Sequence, residues 1–242
     1  MSPARLRVVV TDVDGTLTNR ARLLDPVAIR EVYALEAAGI PVLLATGNAL
    51  PIALALQRSL GLTGPIIAEN GGLLYDPVLA PSRVVRLADP RPARAAYRRL
   101  RASGLPVRRL LTDRWRECEV ALEPTVAPTA VRRCLRGLPV QVEFSGYAIH
   151  LMAPGSGKLP ALESALAGRG WTIDEAVVLG DGDNDVAMLR AAGLGVSFPN
   201  GSHRARSAAA IVTRASFAAG FVEGIRRSGI RRAARRTVQG SV

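Results

Sequence analysis

The chain has few aromatic residues, few cysteines and no long apolar run. Aromatic residues make up 4% of its 242 residues, and only two residues are cysteines. No run of about 18 apolar residues occurs, so we expect no membrane span. Cys118 and Cys134 lack the spacing of a metal site or a disulfide framework, and we expect a cytoplasmic protein. Hydrophobic residues make up 48% of the chain, which is enough for a large buried core.

Lysine is the rarest basic residue of the chain. Of the 32 basic side chains, only that of Lys158 is a lysine. It follows Gly155-Ser156-Gly157 at the predicted start of a helix. A lysine ammonium is a compact point charge, whereas an arginine guanidinium is a wide planar fork. We therefore interpret Lys158 as a residue of a phosphate-binding pocket. The alternative is that Lys158 is a surface lysine without a functional role.

Two clusters of acidic residues each follow a short apolar run. The runs, residues 8–11 and 176–180, have the composition of buried parallel strands. The acids are Asp12, Asp14, Asp181, Asp183 and Asp185. Ligands of open α/β sheets bind where such strands end, and clustered carboxylates favour a hard cation such as Mg²⁺. The sequence therefore predicts a magnesium site that uses both clusters.

A third apolar run, residues 41–45, ends in Thr46 and Gly47. The threonine hydroxyl can donate to a phosphate oxygen, and a glycine N–H can approach a ligand closely because no Cβ intervenes. This junction is a candidate part of a phosphate site, although similar junctions occur in many loops.

The ordered set of motifs resembles that of the haloacid dehalogenase superfamily of phosphatases. The motifs are D-x-D-G-T, a strand-ending Thr-Gly, a lone lysine and G-D-x-x-N-D. The resemblance implies that Asp12 is the nucleophile that forms an aspartyl-phosphate, and that Asp14 is the general acid and base. It also implies that Thr46, Gly47 and Lys158 contact the phosphoryl group.

The same resemblance implies a Mg²⁺ site. Its expected ligands are the Asp12 carboxylate, the Asp14 backbone carbonyl and Asp181, with Asp185 in the coordination sphere or directly behind it. The family pattern tolerates other residues at position 183, so Asp183 is equally well a solvated loop acid.

Strand and helix patterns predict an α/β fold: a Rossmann-like core with a parallel sheet and a smaller α+β insert. The predicted core is residues 1–78 and 154–242. Residues 79–153 read as α-β-β-α-β-β, with strands near 106–112, 117–123, 139–144 and 147–152. Within the superfamily, this insert resembles a C2-type cap, which covers the site and selects the substrate.

Most of the chain also resembles the archaeal-type phosphoglycolate phosphatases of this superfamily, including the runs 111–117 and 144–152. The resemblance implies a small phosphate ester, 2-phosphoglycolate, as substrate, with sugar or glycerate phosphates as alternatives. Arg114 or Arg116 is a candidate to grip the substrate carboxylate in a bidentate fork. Asn70 either contacts the substrate or satisfies a turn, and we expect His150 to be a structural residue of a strand.

The net charge of the chain is +12, and its tail, residues 225–242, holds six arginines and no acid. Such a tail is compatible with a nucleic-acid-binding arm. It has no aromatic residue for base stacking, so we favour a solvated end of the last helix. A nucleic-acid-binding protein with a vestigial core is the less favoured function class. The sequence leaves the oligomeric state open and is compatible with a homodimer.

Overall fold

The computed structural model describes residues 6–231, and their strands form two separate sheets. The strands are β1 (Val8–Thr11), β2 (Val42–Ala45), β3 (Ile66–Ala68), β4 (Leu73–Tyr75), β5 (Val84–Arg86), β6 (Val120–Leu122), β7 (Gln141–Phe144), β8 (Ile149–Met152), β9 (Ala176–Leu179), β10 (Leu194–Ser197) and β11 (Ile211–Val212). The helices are α1 (Pro26–Glu36), α2 (Leu50–Leu60), α3 (Arg91–Ala102), α4 (Pro128–Cys134), α5 (Lys158–Gly168), α6 (Val186–Ala191), α7 (His203–Ala208) and α8 (Phe217–Ser228).

The larger sheet has eight strands in the order β11-β10-β9-β1-β2-β3-β4-β5. All neighbours from β11 to β3 pair in parallel, and β4 and β5 add an antiparallel edge. Strand β1 lies between β9 and β2, with Val9 opposite both Val177 and Val42. The predicted α/β fold class is confirmed. Because these three strands are parallel neighbours, the loops that follow them meet at one edge of the sheet.

Helices cover both faces of the larger sheet, which explains why its central strands are almost entirely apolar. On one face, Val9 packs in a cluster with Val32 of α1 and Phe221 of α8. On the other face, Val8 packs with Leu162 of α5 and Leu189 of α6. The two faces of β1 are therefore both fully buried.

Prolines mark the starts of four helices. Each of α1, α2, α3 and α4 has a proline at its first or second residue. Proline fits there because its fixed φ is helical and the missing N–H has no helical partner in the first turn. Asp25 adds a side-chain cap to α1 by accepting from the Val27 N–H. These local signals explain why the helix starts could be read from the sequence.

The smaller sheet has three antiparallel strands in the order β6-β8-β7. We call residues 79–153 the cap segment; its division from the core at the predicted boundaries stays a prediction. Strand β5 belongs to the larger sheet although it lies beyond residue 78. Within the cap segment, Leu100 of α3, Val131 of α4 and Leu151 of β8 form a separate apolar cluster.

The strand predicted at 106–112 is wrong. Arg109 makes a single bridge to Leu122, and a 3₁₀ turn begins at Leu111. The buried Asp113 carboxylate accepts the Ala121 N–H at 2.6 Å. A side chain thus occupies the donor that a neighbouring strand would have used, and the strand ladder ends there.

Part of the arginine-rich tail lies within the described residues, and residues 232–242 lie outside them. Arg227 pairs with Glu223, and Arg231 pairs with Glu31. Among residues 6–231, none of the helices combines the length and apolar character that a bilayer crossing requires.

The two-sided burial of the central strands predicts a large difference between two leucines. Leu43 of β2 is fully buried, whereas 76% of Leu111 is exposed. We expect Leu43→Ala to lower the free energy of unfolding by about 2–5 kcal/mol because it leaves a cavity. The matched Leu111→Ala should stay within about 0.5 kcal/mol of the parent. Urea unfolding curves measure both changes, and equal midpoints for the two variants would contradict the described core.

Candidate active site

A buried lysine and two aspartates form the centre of the candidate site. Lys158, the first residue of α5, is 1% exposed, and its ammonium donates to Asp12 Oδ1 and Asp185 Oδ1, both at 2.7 Å. Asp12 directly follows β1, and Asp185 lies in the loop after β9. Burial disfavours the lysine charge, but the two carboxylates raise the pKa of the ammonium above its usual value. The three side chains therefore form a buried, charged unit.

The site carries more negative than positive charge. Asp12, Asp181 and Asp185 each place a carboxylate oxygen within 4.8 Å of the others. Lys158 balances one of these three charges. Burial, with the charges of Asp185 and Asp181, raises the pKa of Asp12 well above its usual value, although Lys158 opposes the rise. Burial and Asp185 likewise raise the pKa of Asp181 to about 7.

An oxygen-only group of three crowded carboxylates is suited to hold a divalent metal ion. A bound cation would supply the positive charge that the raised pKa values of Asp12 and Asp181 indicate is missing. Of the predicted metal residues, Asp12, Asp181 and Asp185 are brought together. The carboxylate of Asp14 is not part of this group among the described residues, and its predicted contribution through the backbone carbonyl stays a prediction.

Both oxygens of Asp185 already have partners. Oδ1 accepts from Lys158, and Oδ2 accepts from the backbone N–H groups of Asp181 and Gly182 at 3.1 and 2.9 Å. Asp185 therefore orients the loop that carries Asp181. Asp183 bonds elsewhere, to Ser202 at 2.5 Å and to the exposed Arg204 at 3.2 Å.

Glycine at position 15 allows the two acidic loops to approach each other. Gly15 has a φ of +86°, and a Cβ there would overlap the Asp181 carboxylate. The same carboxylate accepts from Thr16 Oγ1 at 3.3 Å. A side chain at position 15 would thus be strained and would displace a proposed metal ligand.

The loop after β2 positions Asp14. Asn48 Nδ2 donates to Asp14 Oδ2 at 2.9 Å and to Thr46 Oγ1 at 3.1 Å. Thr46 is buried, and its oxygen also accepts from the Asn48 N–H at 3.0 Å. Asn48 thus links the predicted general acid to the predicted phosphate-binding threonine.

A cavity of about 540 Å³ opens above the acidic group. Of the predicted site residues, it is lined by Asp12, Asp14, Gly47 and Asp181. Its cap wall is the β7–β8 hairpin, residues 143–147, together with His150. The volume lies in the range of small-molecule sites.

A second group of buried polar residues joins the cap segment to the core. Glu119 is 5% exposed, and it pairs with Arg116 and accepts from Asn70 Nδ2 at 3.0 Å. Arg116 also donates to the Gly47 carbonyl at 2.8 Å. Burial opposes ionisation of Glu119, but His150 and Arg116 hold the pKa of its carboxyl below the usual value. Glu119 is therefore a carboxylate.

The structure places both cap arginines, Arg114 and Arg116, outside the cavity wall. Arg116 Nη1 bonds to Glu119 and to the Gly47 carbonyl, and Arg114 is exposed, with its guanidinium 5.8 Å from the Trp115 ring centre. Asn70 is also absent from the cavity wall, and instead it bridges Glu119 and Asn184.

Sequence reasoning missed Glu119 and the cavity position of His150. Glu119 directly precedes the apolar strand β6, and His150 is the polar residue within the otherwise apolar strand β8. An isolated polar residue in an apolar stretch can be recognised from the sequence. The pairing of β6 with β8 is needed to show that these two residues are in contact.

A family model of haloacid dehalogenase-like hydrolases matches residues 9–79 and 129–225 of the chain. The chain belongs to this hydrolase family. The phosphoglycolate phosphatase of Methanothermobacter thermautotrophicus is 35% identical over 222 residues, which cover 92% of this chain and 98% of that protein. The phosphoglycolate phosphatase of Methanoculleus marisnigri is 36% identical over 228 residues, covering 92% and 96%.

The fold of the haloacid dehalogenase-like hydrolases is shared as well. The crystal structure of a Thermoplasma acidophilum protein superposes with a TM-score of 0.82 at 26% identity, over 93% of this chain and 99% of that one. The resemblance inferred from the four motifs is thus confirmed. The chain is an enzyme, a phosphatase of this family similar to the archaeal phosphoglycolate phosphatases.

The charge imbalance predicts that a divalent cation stabilises the folded protein. Mg²⁺ at about 100 times its Kd should raise the free energy of unfolding by about 2.7 kcal/mol, which corresponds to an increase in Tm of about 5–10 °C. We expect Asp181→Asn to lose most of this increment because the variant lacks one carboxylate ligand. Without metal, this variant should melt no lower than the parent, because it relieves like-charge crowding.

Asp183→Asn is the matched control for the metal prediction. It alters a neighbouring acid that lies outside the acidic group. Thermal melts with and without Mg²⁺ should give the control the full increment of the parent. A full increment in Asp181→Asn would contradict the assigned ligand set.

Proposed function

We propose that the enzyme is a Mg²⁺-dependent phosphatase that hydrolyses 2-phosphoglycolate to glycolate and phosphate through an aspartyl-phosphate on Asp12. The observation that carries the proposal is that Asp12 lines a cavity of about 540 Å³ and pairs with the buried Lys158 behind it. One carboxylate oxygen bonds to the ammonium, and no hydrogen bond within residues 6–231 involves the other, Oδ2. A carboxylate oriented in this way is a suitable nucleophile.

In the first step, Asp12 Oδ2 attacks phosphorus, and the bond from phosphorus to the ester oxygen breaks. Asp14 supplies a proton to the leaving alkoxide. In the second step, Asp14 takes a proton from water, whose oxygen attacks phosphorus and releases phosphate and free Asp12. The exposure of Asp14 at the cavity suits both transfers.

Positive charge near the phosphoryl group lowers the barrier to both steps. Lys158 remains charged because Asp12 and Asp185 raise the pKa of its ammonium. Asp12 and Asp181, with Asp185 behind them, would hold Mg²⁺, which neutralises phosphoryl charge when bound. The Thr46 hydroxyl and Gly47 complete the predicted contacts, and Asn48 holds the threonine in place.

The substrate assignment rests on the curated relatives: both of those described above are named phosphoglycolate phosphatases and align over almost their whole length. The cavity volume leaves space for longer esters, so a sugar or glycerate phosphate is the second candidate. We place the enzyme in the cytoplasm, as the cysteine usage predicts.

A phosphate-release screen over small phosphate esters with Mg²⁺ tests the proposal. We expect 2-phosphoglycolate to give the highest kcat/KM. Asp12→Asn should lower kcat by about 10³-fold or more because the amide is a poor nucleophile. Glu163→Gln on α5, which changes an exposed acid that does not line the cavity, is the control for general charge effects. Near-parental turnover in Asp12→Asn would exclude the covalent route.

The pocket around Lys158 allows a separate prediction. In Lys158→Arg the charge is kept, but the guanidinium is too wide for a pocket in which the ammonium is fully enclosed. We expect kcat for 2-phosphoglycolate to fall by about 10²–10³-fold. The converse exchange at an exposed position, Arg206→Lys on α7, should have no effect. Steady-state kinetics measure both, and unchanged kcat in Lys158→Arg would show that the pocket does not require lysine.

A further inference from the structure

His150 occupies an unusual position for a strand residue of the cap segment. It lies in the middle of β8, opposite Ala121 of β6 and Glu143 of β7. Its residue exposure is only 6%, yet it lines the cavity that contains Asp12. A buried histidine therefore faces the same space as the predicted nucleophile.

Glu119 fixes the orientation of the His150 ring. The distance from His150 Nδ1 to Glu119 Oε1 is 3.1 Å. Because Arg116 and His150 keep Glu119 ionised, the carboxylate accepts and Nδ1 carries the proton. Within residues 6–231, Nε2 has no hydrogen-bond partner, so it is the ring atom left for a ligand. A buried carboxylate behind a histidine is the usual way to fix which nitrogen meets a ligand.

The other cationic side chains of the cavity are less well placed for this purpose. Arg22 donates to the Gly146 carbonyl at 3.3 Å, and its guanidinium lies 5.4 Å from the Tyr147 ring centre. It therefore joins the core loop to the cap hairpin. Arg20 is exposed on the same loop. His150 is the buried member of the three, and the only one of them that comes from the cap segment.

We propose that His150, held by Glu119, is the specificity-determining contact for the carboxylate of the substrate. The inference rests on the proposed function. It gives His150 the role of carboxylate contact that the sequence suggested for Arg114 or Arg116. While Nδ1–H stays on Glu119, a proton on Nε2 would be donated to the incoming carboxylate. Arg116 pairs with Glu119 and balances its charge, so the carboxylate behind the ring adds no net negative charge. A charge-assisted hydrogen bond in this partly buried position favours an anionic group over an apolar one.

Glu143 is the competing partner. It is opposite His150 in the β7–β8 pair and also lines the cavity. Gln141 Nε2 donates to Glu143 Oε1 at 3.2 Å, which holds this carboxylate along its own strand. If Glu143 accepts the hydrogen bond from Nε2 in solution, Nε2 is not available to the substrate. Removal of His150 then leaves the substrate preference unchanged.

Two substitutions separate the two ring nitrogens. His150→Asn places an amide nitrogen near Nδ1, so the bond to Glu119 is kept while the cavity loses its donor. His150→Gln places the amide nitrogen near Nε2 and keeps a donor toward the cavity. The test compares 2-phosphoglycolate with ethyl phosphate, which has the same chain length and no carboxylate. The measured quantity is the ratio of the two kcat/KM values.

We expect His150→Asn to lower this ratio by about tenfold or more, and His150→Gln to retain most of it. The control is His203→Asn, which changes the other histidine of the chain, exposed on α7, and should leave the ratio unchanged. Thermal melts confirm that each variant is folded. A merely structural histidine would lower both kcat/KM values together and leave their ratio constant.

The outcomes distinguish failure of the inference from failure of the proposed function. A parent enzyme with no preference for 2-phosphoglycolate over ethyl phosphate overturns the substrate assignment and this inference with it. A parent with the preference, and a His150→Asn variant with the same ratio, overturns the inference alone. In that case Arg20→Ala is the next variant, since Arg20 is the remaining cavity cation without a described partner among residues 6–231.

Discussion

The constraint on which the site depends is the crowding of three carboxylates around one buried ammonium. Asp12, Asp181 and Asp185 each place a carboxylate oxygen within 4.8 Å of the others, and within residues 6–231 Lys158 is the one basic side chain paired with them. Such a group is unfavourable in a folded protein unless a cation or an anionic ligand with its own cation joins it. The raised pKa values of Asp12 and Asp181 express this imbalance. Stability is thus reduced locally at the place where a metal-bound phosphoryl group would restore balance.

The sheet topology makes this crowding unavoidable. Strands β9 and β1 are parallel neighbours, and the Asp12 N–H donates to the Leu179 carbonyl at 3.0 Å. The acids that follow the two strands must therefore emerge side by side. Lys158 arrives from the start of α5, which packs on the same sheet. The register of the strands, and not a flexible loop, sets the distances between the charged groups. A site that stabilises charge at a fixed position requires such fixed distances.

The core of this site could be predicted from sequence because its signals are local. Each apolar run ends directly before its functional residue, so the positions of Asp12 and Asp181 follow once the sheet is parallel. The cap segment was harder to predict. The 106–112 region has strand-like composition, but the Asp113 carboxylate takes the donor that would have extended the ladder. Arg116 resembled a ligand-binding residue because nothing local showed that Glu119 would occupy it.

The contacts that were not predicted from the sequence join the cap segment to the loops of the candidate phosphoryl site. The Glu69 carboxylate at the end of β3 accepts from the backbone N–H groups of residues 117–119, at distances from 2.8 to 3.3 Å. Arg116 then reaches the Gly47 carbonyl in the predicted phosphate loop, and Glu119 reaches His150 in the cavity wall. Buried polar contacts of this kind leave few alternative arrangements, because breaking one leaves a desolvated group unpaired. The cap segment therefore holds His150, the proposed carboxylate contact, at a position that depends on the loop predicted to contact the phosphoryl group. A change in either contact should alter the geometry of the other.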